Sequence, residues 1–201
     1  MEQMEKQLIL SVSREYGSGG HVIARGLADI FGLPVYDYNI LSKISSERNL
    51  AAGSLEKYDE VPRNRIFTRN VRGYSNSLEE NIANLQFEYL KKKAASGESF
   101  VVVGRCSETV LREYDCMIPI FVMADEEFKI RREMQAKQIS RTEAEKAVCY
   151  YNKKRKEYHN YYCSGKWGDS RYYDVCINSA KLGLEQTTKL LAEYIRERMA
   201  Q

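Results

Sequence analysis

The chain has 201 residues, 43% of them hydrophobic, and its 31 basic and 28 acidic side chains leave a formal net charge of +3. That size can bury a core and fits one domain over residues 1–201, while so mild a charge argues against coating nucleic acid, which calls for a concentrated basic face. No apolar run of membrane-spanning length and no signal-peptide pattern is present, and the five cysteines are widely spaced without a C-x-x-C pair. The expectation is a reduced, cytoplasmic protein with no membrane or nucleic-acid partner, no disulfide framework and no metal site of its own.

In chain order, residues 8–13 read as a buried strand, followed by a glycine-rich turn and an amphipathic helix over 21–31 that Gly32 and Pro34 close. Residues 34–36 read as a short strand and 40–47 as a helix. Over residues 49–73 the apolar pattern weakens among charges, Gly53 and Pro62, which predicts a mobile excursion. A long helix follows over 76–96, ended by Gly97. Residues 100–103, an unbroken Phe-Val-Val-Val, suit a central parallel strand covered on both faces. A short helix over 107–113 leads to a strand over 117–123, where Pro119 favours an edge or early position. A helix then starts at Asp125, and residues 140–162 form a long polar helical stretch expected to be broken. A strand over 175–178 and an amphipathic helix over 184–199 complete the chain. Strands alternating with crossover helices predict an α/β fold around a parallel sheet.

The most informative stretch lies between the first strand and its helix, where residues 14–21 read Arg-Glu-Tyr-Gly-Ser-Gly-Gly-His. Glycines there let the backbone curl with its N–H groups facing one centre, and the helix start adds unsatisfied N–H groups and the positive end of its dipole. Such a turn cradles a nucleotide phosphate tail. Against the pattern G-x-x-x-x-G-K-[ST], Gly19 supplies the closing glycine, but Arg14 replaces the opening one, Gly20 the lysine and His21 the hydroxyl. The candidate cofactor contacts are Arg14, Tyr16, Gly17, Ser18, Gly19, Gly20 and His21. Arg14, His21 or Arg25 would stand in for the lysine's charge, and Mg²⁺ would be held mainly by phosphates and water. The alternative is a connector whose glycines only turn the chain.

Four stretches, SREYGSGGHVIARGLA, LPVYDYNIL, VVVGRCSETVL and NKKRKEYHNYYCSGKWGDSRYYDVCINSAKLG, resemble the cytidylate-kinase-like family, a branch of the phosphate-loop nucleoside monophosphate kinases. The resemblance spans nearly the whole chain. It implies a three-layer phosphate-loop NTPase fold with a parallel central sheet and a helical lid, here about residues 136–170 with the following turn. It further implies ATP and Mg²⁺ as cofactors and phosphoryl transfer to a small phosphorylated acceptor, a nucleoside monophosphate such as CMP. Carried over by motif, Asp37 and Arg105 fall at the acceptor, with residues 49–73 near it, and Arg131, Arg132 and Arg155 fall over the transferring group.

The chain departs from the family pattern in several places. Tyr38 replaces a small hydroxyl residue, the family G-R-D reads Gly104-Arg105-Cys106, and the lid D-x-x-R reads Asn152-Lys153-Lys154-Arg155. Val148 stands where the lid has a further arginine, leaving Lys154 or Arg141 to compensate. Structural roles compete at the same positions: Asp37 as a helix N-cap, Arg105 in an ion pair, Arg131 and Arg132 on a solvated helix face. Trp167 reads as part of a turn packed on the core, or alternatively as a stacking surface for a base. The competing functions are a nucleotide- or anion-binding module that has lost catalysis and a kinase for a non-nucleotide metabolite. The partners implied are a nucleotide and a small-molecule phosphate acceptor, while the oligomeric state is not legible.

Overall fold

The computed structural model describes residues 6–48, 70–71, 74–75 and 78–201. Five parallel strands form one sheet in the order β2-β5-β1-β6-β7. β1 (Ile9–Arg14) is central, between β5 (Phe100–Val103) and β6 (Met117–Met123), with β2 (Val35–Tyr36) and β7 (Val175–Asn178) at the edges. Side chains alternate across the sheet, which divides the core in two. Leu10, Val12, Val101 and Val103 face α1 (Gly20–Phe31) and α7 (Ser179–Ala200). Ile9, Phe100 and Val102 face α2 (Ile40–Arg48) and α3 (Leu78–Ala95). The chain therefore has the three-layer architecture of the phosphate-loop kinases, and β5 is buried on both faces as its composition demands.

All five strands run the same way, so the β1–α1 turn and the turn from β5 into α4 (Ser107–Val110) meet at the carboxyl edge of the sheet. Beside that edge stand α5 (Glu126–Lys137) and α6 (Arg141–Tyr162), packed through Ile130, Ala144 and Val148 with Tyr16 and Met134 against them. A capping box sets the start of α6: the Ser140 hydroxyl accepts the Glu143 N–H, and the Glu143 carboxylate accepts the Ser140 N–H at 2.9 Å.

The structure corrects several expectations. α6 is one unbroken helix of 22 residues. It contains neither Pro nor Gly, and its buried Ala144, Val148, Tyr158 and His159 fix both halves while polar residues occupy the solvent side. β6 is internal rather than at an edge, and Pro119 fits because its missing N–H lies on the β7 side, where pairing starts only at Ile120. The Pro119 carbonyl on that side accepts from the Asp174 N–H at 2.8 Å. α4 ends at Val110, sooner than expected, and α7 begins at Ser179 with a kink at Gly183. β3 (Asn70–Val71) and β4 (Tyr74–Ser75) pair antiparallel, a ladder not foreseen from composition. The rest of the expected excursion, residues 49–69 and 72–73, lies outside the described residues. Among the described residues no helix is long and apolar enough to cross a membrane.

Leu27 on α1 is fully buried in the core shared with β1, β5 and α7. Truncation at such a site removes apolar contacts and leaves a cavity, so Leu27→Ala is expected to lower unfolding free energy by about 2–5 kcal/mol in urea titration. A change below about 1 kcal/mol would show that this face is not a packed core.

Candidate functional site

The glycine turn is wedged between two helices. Gly17 and Gly19 have φ of 81° and 79°. A Cβ on Gly17 would stand 2.9 Å from Lys129 Cβ of α5, and one on Gly19 would run into Leu184 of α7. Only glycine satisfies both the left-handed backbone and the close packing. The turn is braced from within: the Ser18 hydroxyl donates to the Glu15 carbonyl at 2.8 Å, and the Ser18 carbonyl accepts from the Ser179 hydroxyl at 2.6 Å. Lys129 reaches back to the Glu15 carboxylate at 2.8 Å, an anchor the sequence did not signal.

The turn's N–H groups decide what it can bind. Tyr16 N–H is taken by the Asn152 side-chain oxygen at 2.7 Å, and Gly20 N–H has a long bond of 3.4 Å to the Ser18 hydroxyl. Among the described residues, the N–H groups of Gly17, Gly19, His21 and Val22 donate to no protein atom, and no side chain caps α1. The residues carrying these four donors line a cavity of about 600 Å³ at the carboxyl edge of the sheet, where the positive end of the α1 dipole lies.

Cations surround that cavity. A Cβ on Gly20 would lie 2.5 Å from Arg14 Cβ, so the Arg14 stem fills the space a lysine at position 20 would need. A side chain at position 20 and the Arg14 stem therefore compete for one space. His21 is not a charge donor at neutral pH: burial lowers its pKa, reinforced by the guanidiniums of Arg25, Arg14 and Arg155 against Asp37. Asp37 is buried and lines the cavity. One carboxylate oxygen accepts the Asn39 N–H at 2.9 Å at the entrance to α2, and the other lies 3.4 Å from Arg25 and 3.5 Å from His21.

Arg105 reaches the cavity through an unusual backbone. Gly104, Arg105 and Cys106 have φ of 74°, 62° and 54°, three consecutive left-handed residues of which two carry side chains. Each such non-glycine residue costs on the order of 1 kcal/mol or more, and surrounding contacts must hold it. The result is an arginine only 3% exposed, lining the cavity. Its Nε and Nη1 are buried without a hydrogen-bond acceptor, although the side chain has a contact elsewhere.

α5 and α6 form the opposite wall, and here the structure sorts the expected arginines. Arg132 and Arg155 line the cavity, together with Lys154 and Lys137. Arg131 does not: it is 66% exposed and turns back to Glu127. Arg141 is likewise occupied, gripping the Glu127 carboxylate at 2.9 and 2.7 Å, and of the two it is Lys154 that lines the cavity. Successive helix positions face different directions, which motif matching could not resolve for Arg131 and Arg132. Tyr16 stacks on Tyr151 at 4.5 Å between ring centres, and Arg155 donates to the Arg14 carbonyl at 3.3 Å. α6 is thereby held down on the turn. Trp167 packs edge-on against Phe121 at 5.4 Å, in the core-facing role expected for that turn.

The sequence matches the model of the cytidylate kinase-like family over residues 9–181. Among solved structures, an uncharacterized protein from Eubacterium ventriosum is 32% identical, with 94% of this chain and 99% of that chain covered and a TM-score of 0.76. A shikimate kinase from Bacteroides thetaiotaomicron is 13% identical (94% and 98% covered, TM-score 0.56). A shikimate kinase from Acinetobacter baumannii, solved in complex with shikimate, is 11% identical (96% and 96% covered, TM-score 0.51). These two likenesses speak to fold alone. No curated protein matches the chain.

The wedged turn generates a direct expectation. Gly19→Ala must strain φ and displace Leu184, so inorganic pyrophosphate measured by calorimetry should bind at least ~10-fold more weakly than to the parent, equivalent to about 1.4 kcal/mol. Equal affinity would mean the turn's amides are not the anion contact.

Proposed function

This chain belongs to the cytidylate kinase-like family, and from that premise we propose that it transfers the γ-phosphoryl group of ATP to a small phosphorylated acceptor, with CMP the first candidate. One observation carries the reading. Open N–H groups at the start of α1 face a cavity whose remaining walls are lined by Arg14, Arg105, Arg132, Lys154 and Arg155. Phosphoryl transfer asks a protein mainly to hold reactants in line and to neutralise spreading negative charge, and such a cavity is suited to both.

In this reading the donor's phosphate tail lies along Gly17, Gly19, Gly20 and His21, with the Arg14 guanidinium replacing the missing lysine and a neutral His21 donating a hydrogen bond. Mg²⁺ would travel with ATP. The Ser18 hydroxyl is committed to the Glu15 carbonyl and position 21 carries no hydroxyl, so phosphates and water would supply most of the metal's ligands. The acceptor phosphate would sit between Arg105 and the Asp37–Arg25 pair, and Arg132, Lys154 and Arg155 would approach from α5 and α6 to neutralise the transferring group. A phosphate acceptor brings its own oxygen nucleophile, so no side-chain nucleophile is required. Contacts such as Tyr16 on Tyr151 would hold the helical lid closed and water out.

The Asn152 cap on the Tyr16 N–H favours a second reading, an anion-binding module without turnover, because it removes one donor from the turn. Coupled turnover assays over a panel of nucleoside monophosphates and hydroxyl-bearing metabolites separate the two. ATP binding with no acceptor phosphorylated would favour the module.

For the kinase reading, Arg105→Ala and Arg155→Ala should each lower kcat/KM at least ~10-fold, and a transition-state arginine can reach ~10³-fold or more. Unchanged rates in both variants would remove them from the mechanism. The coupling of Arg14 and Gly20 predicts that Gly20→Lys alone impairs ATP binding through its clash with the Arg14 stem. The double variant Arg14→Gly with Gly20→Lys should recover it, since the lysine then has room.

A further inference from the structure

Behind Arg105, a buried cluster of metal-ligating groups lies outside the cavity just described. Glu108 projects from α4, His159 from the last turn of α6, and Cys163 from the residue that caps that helix. Glu108 and His159 are each 6% exposed and Cys163 8%, and their ligand atoms all lie within 4.8 Å of one another. His159 Nε2 is 2.6 Å from Glu108 Oε1, and Cys163 Sγ is 3.9 Å from the same oxygen. His159 and Cys163 are four residues apart, a spacing that puts both on one side of the helix end. Outer partners are in place as well. The Ser13 hydroxyl donates to Glu108 Oε2 at 3.2 Å, and His159 Nδ1 pairs with the Asn160 side-chain oxygen at 3.4 Å. Such a pairing at one ring nitrogen leaves the other aimed as a ligand.

We propose that Glu108, His159 and Cys163 bind a divalent transition-metal ion, by their chemistry Zn²⁺, as a structural staple joining the Gly104–Cys106 turn and α4 to the end of α6. An imidazole, a thiolate and a carboxylate together favour zinc over hard cations, which prefer oxygen alone. Bond lengths of ~2.0–2.3 Å imply tetrahedral edges of about 3.3–3.8 Å. The sulfur is already close to that separation, and the Glu108 and His159 atoms need part by less than ~1 Å. Cys106 is the candidate fourth ligand, since its thiol is in hydrogen-bonding contact with Cys163. A space of about 20 Å³ lies beside the cluster, bordered by Cys106 and His159 and also by Arg14, Arg105 and Arg155. The sequence concealed the site because its ligands come from α4 and from 51 residues further on, not from a Cys-x-x-Cys pair.

This inference is independent of the phosphoryl-transfer reading, and its test measures metal rather than turnover. The full-length protein, stripped with chelator, is titrated with Co²⁺ alone and then with Zn²⁺. Expected are one equivalent of Co²⁺ with a thiolate-to-cobalt charge-transfer band and intense tetrahedral ligand-field bands, displaced by Zn²⁺. His159→Gln and Cys163→Ser should each weaken binding at least ~10-fold, while Cys149→Ser, at an exposed cysteine, should leave it intact. X-ray absorption on the zinc-loaded parent needs no variant and should show sulfur at ~2.3 Å beside nitrogen or oxygen at ~2.0–2.1 Å. No stoichiometric metal, a shell of oxygen and nitrogen only, or affinity unchanged in His159→Gln and Cys163→Ser would overturn the proposal.

Discussion

Backbone N–H groups left open at the start of α1 are the constraint on which the site depends. No side chain caps that N-terminus and no acidic residue stands in its first turn. The turn cannot relax to satisfy them, because Lys129, Leu184 and Arg14 press on the three glycine positions from different elements. What remains is a set of donors in fixed positions with a positive dipole behind them, an arrangement that a phosphate would complete.

The cations around this cradle come from parts of the chain far apart in sequence, and each is held differently. Arg14 ends the central strand and lies over Gly20, so its position follows from sheet geometry. Arg105 depends on two left-handed non-glycine residues, strain that neighbouring packing must sustain. Arg132, Lys154 and Arg155 come from the α5–α6 pair, whose closeness to the turn is maintained by the Tyr16–Tyr151 stack and the Asn152 bond. Cations outnumber the carboxylates of Glu15, Asp37 and Glu133 that line the same cavity, a balance that favours binding an anion.

Beneath the cavity, polar groups replace the apolar filling found elsewhere on that face of the sheet. Ser11 bonds to Ser107 at 2.7 Å, and Ser13 bonds to Glu108, which in turn meets His159. This buried polar column connects the central strand, the strained β5–α4 turn and the end of α6. It gives the Gly104–Cys106 conformation a mechanical support, and it couples the wall carrying Arg105 to the helix carrying Arg155.

From its sequence alone the chain declared its architecture. Apolar runs such as 100–103 and the helix–strand alternation report burial on a period each segment carries locally, and the glycines at 17 and 19 report a left-handed backbone that favours glycine. Tertiary structure decided which side chains share a space. It turned Arg132 inward and Arg131 outward, placed Lys154 rather than Arg141 at the cavity, set Arg14 over Gly20, and brought Glu108 to His159. These outcomes depend on the angle at which one element packs on another, and that is a property of pairs of segments, not of any one stretch of residues.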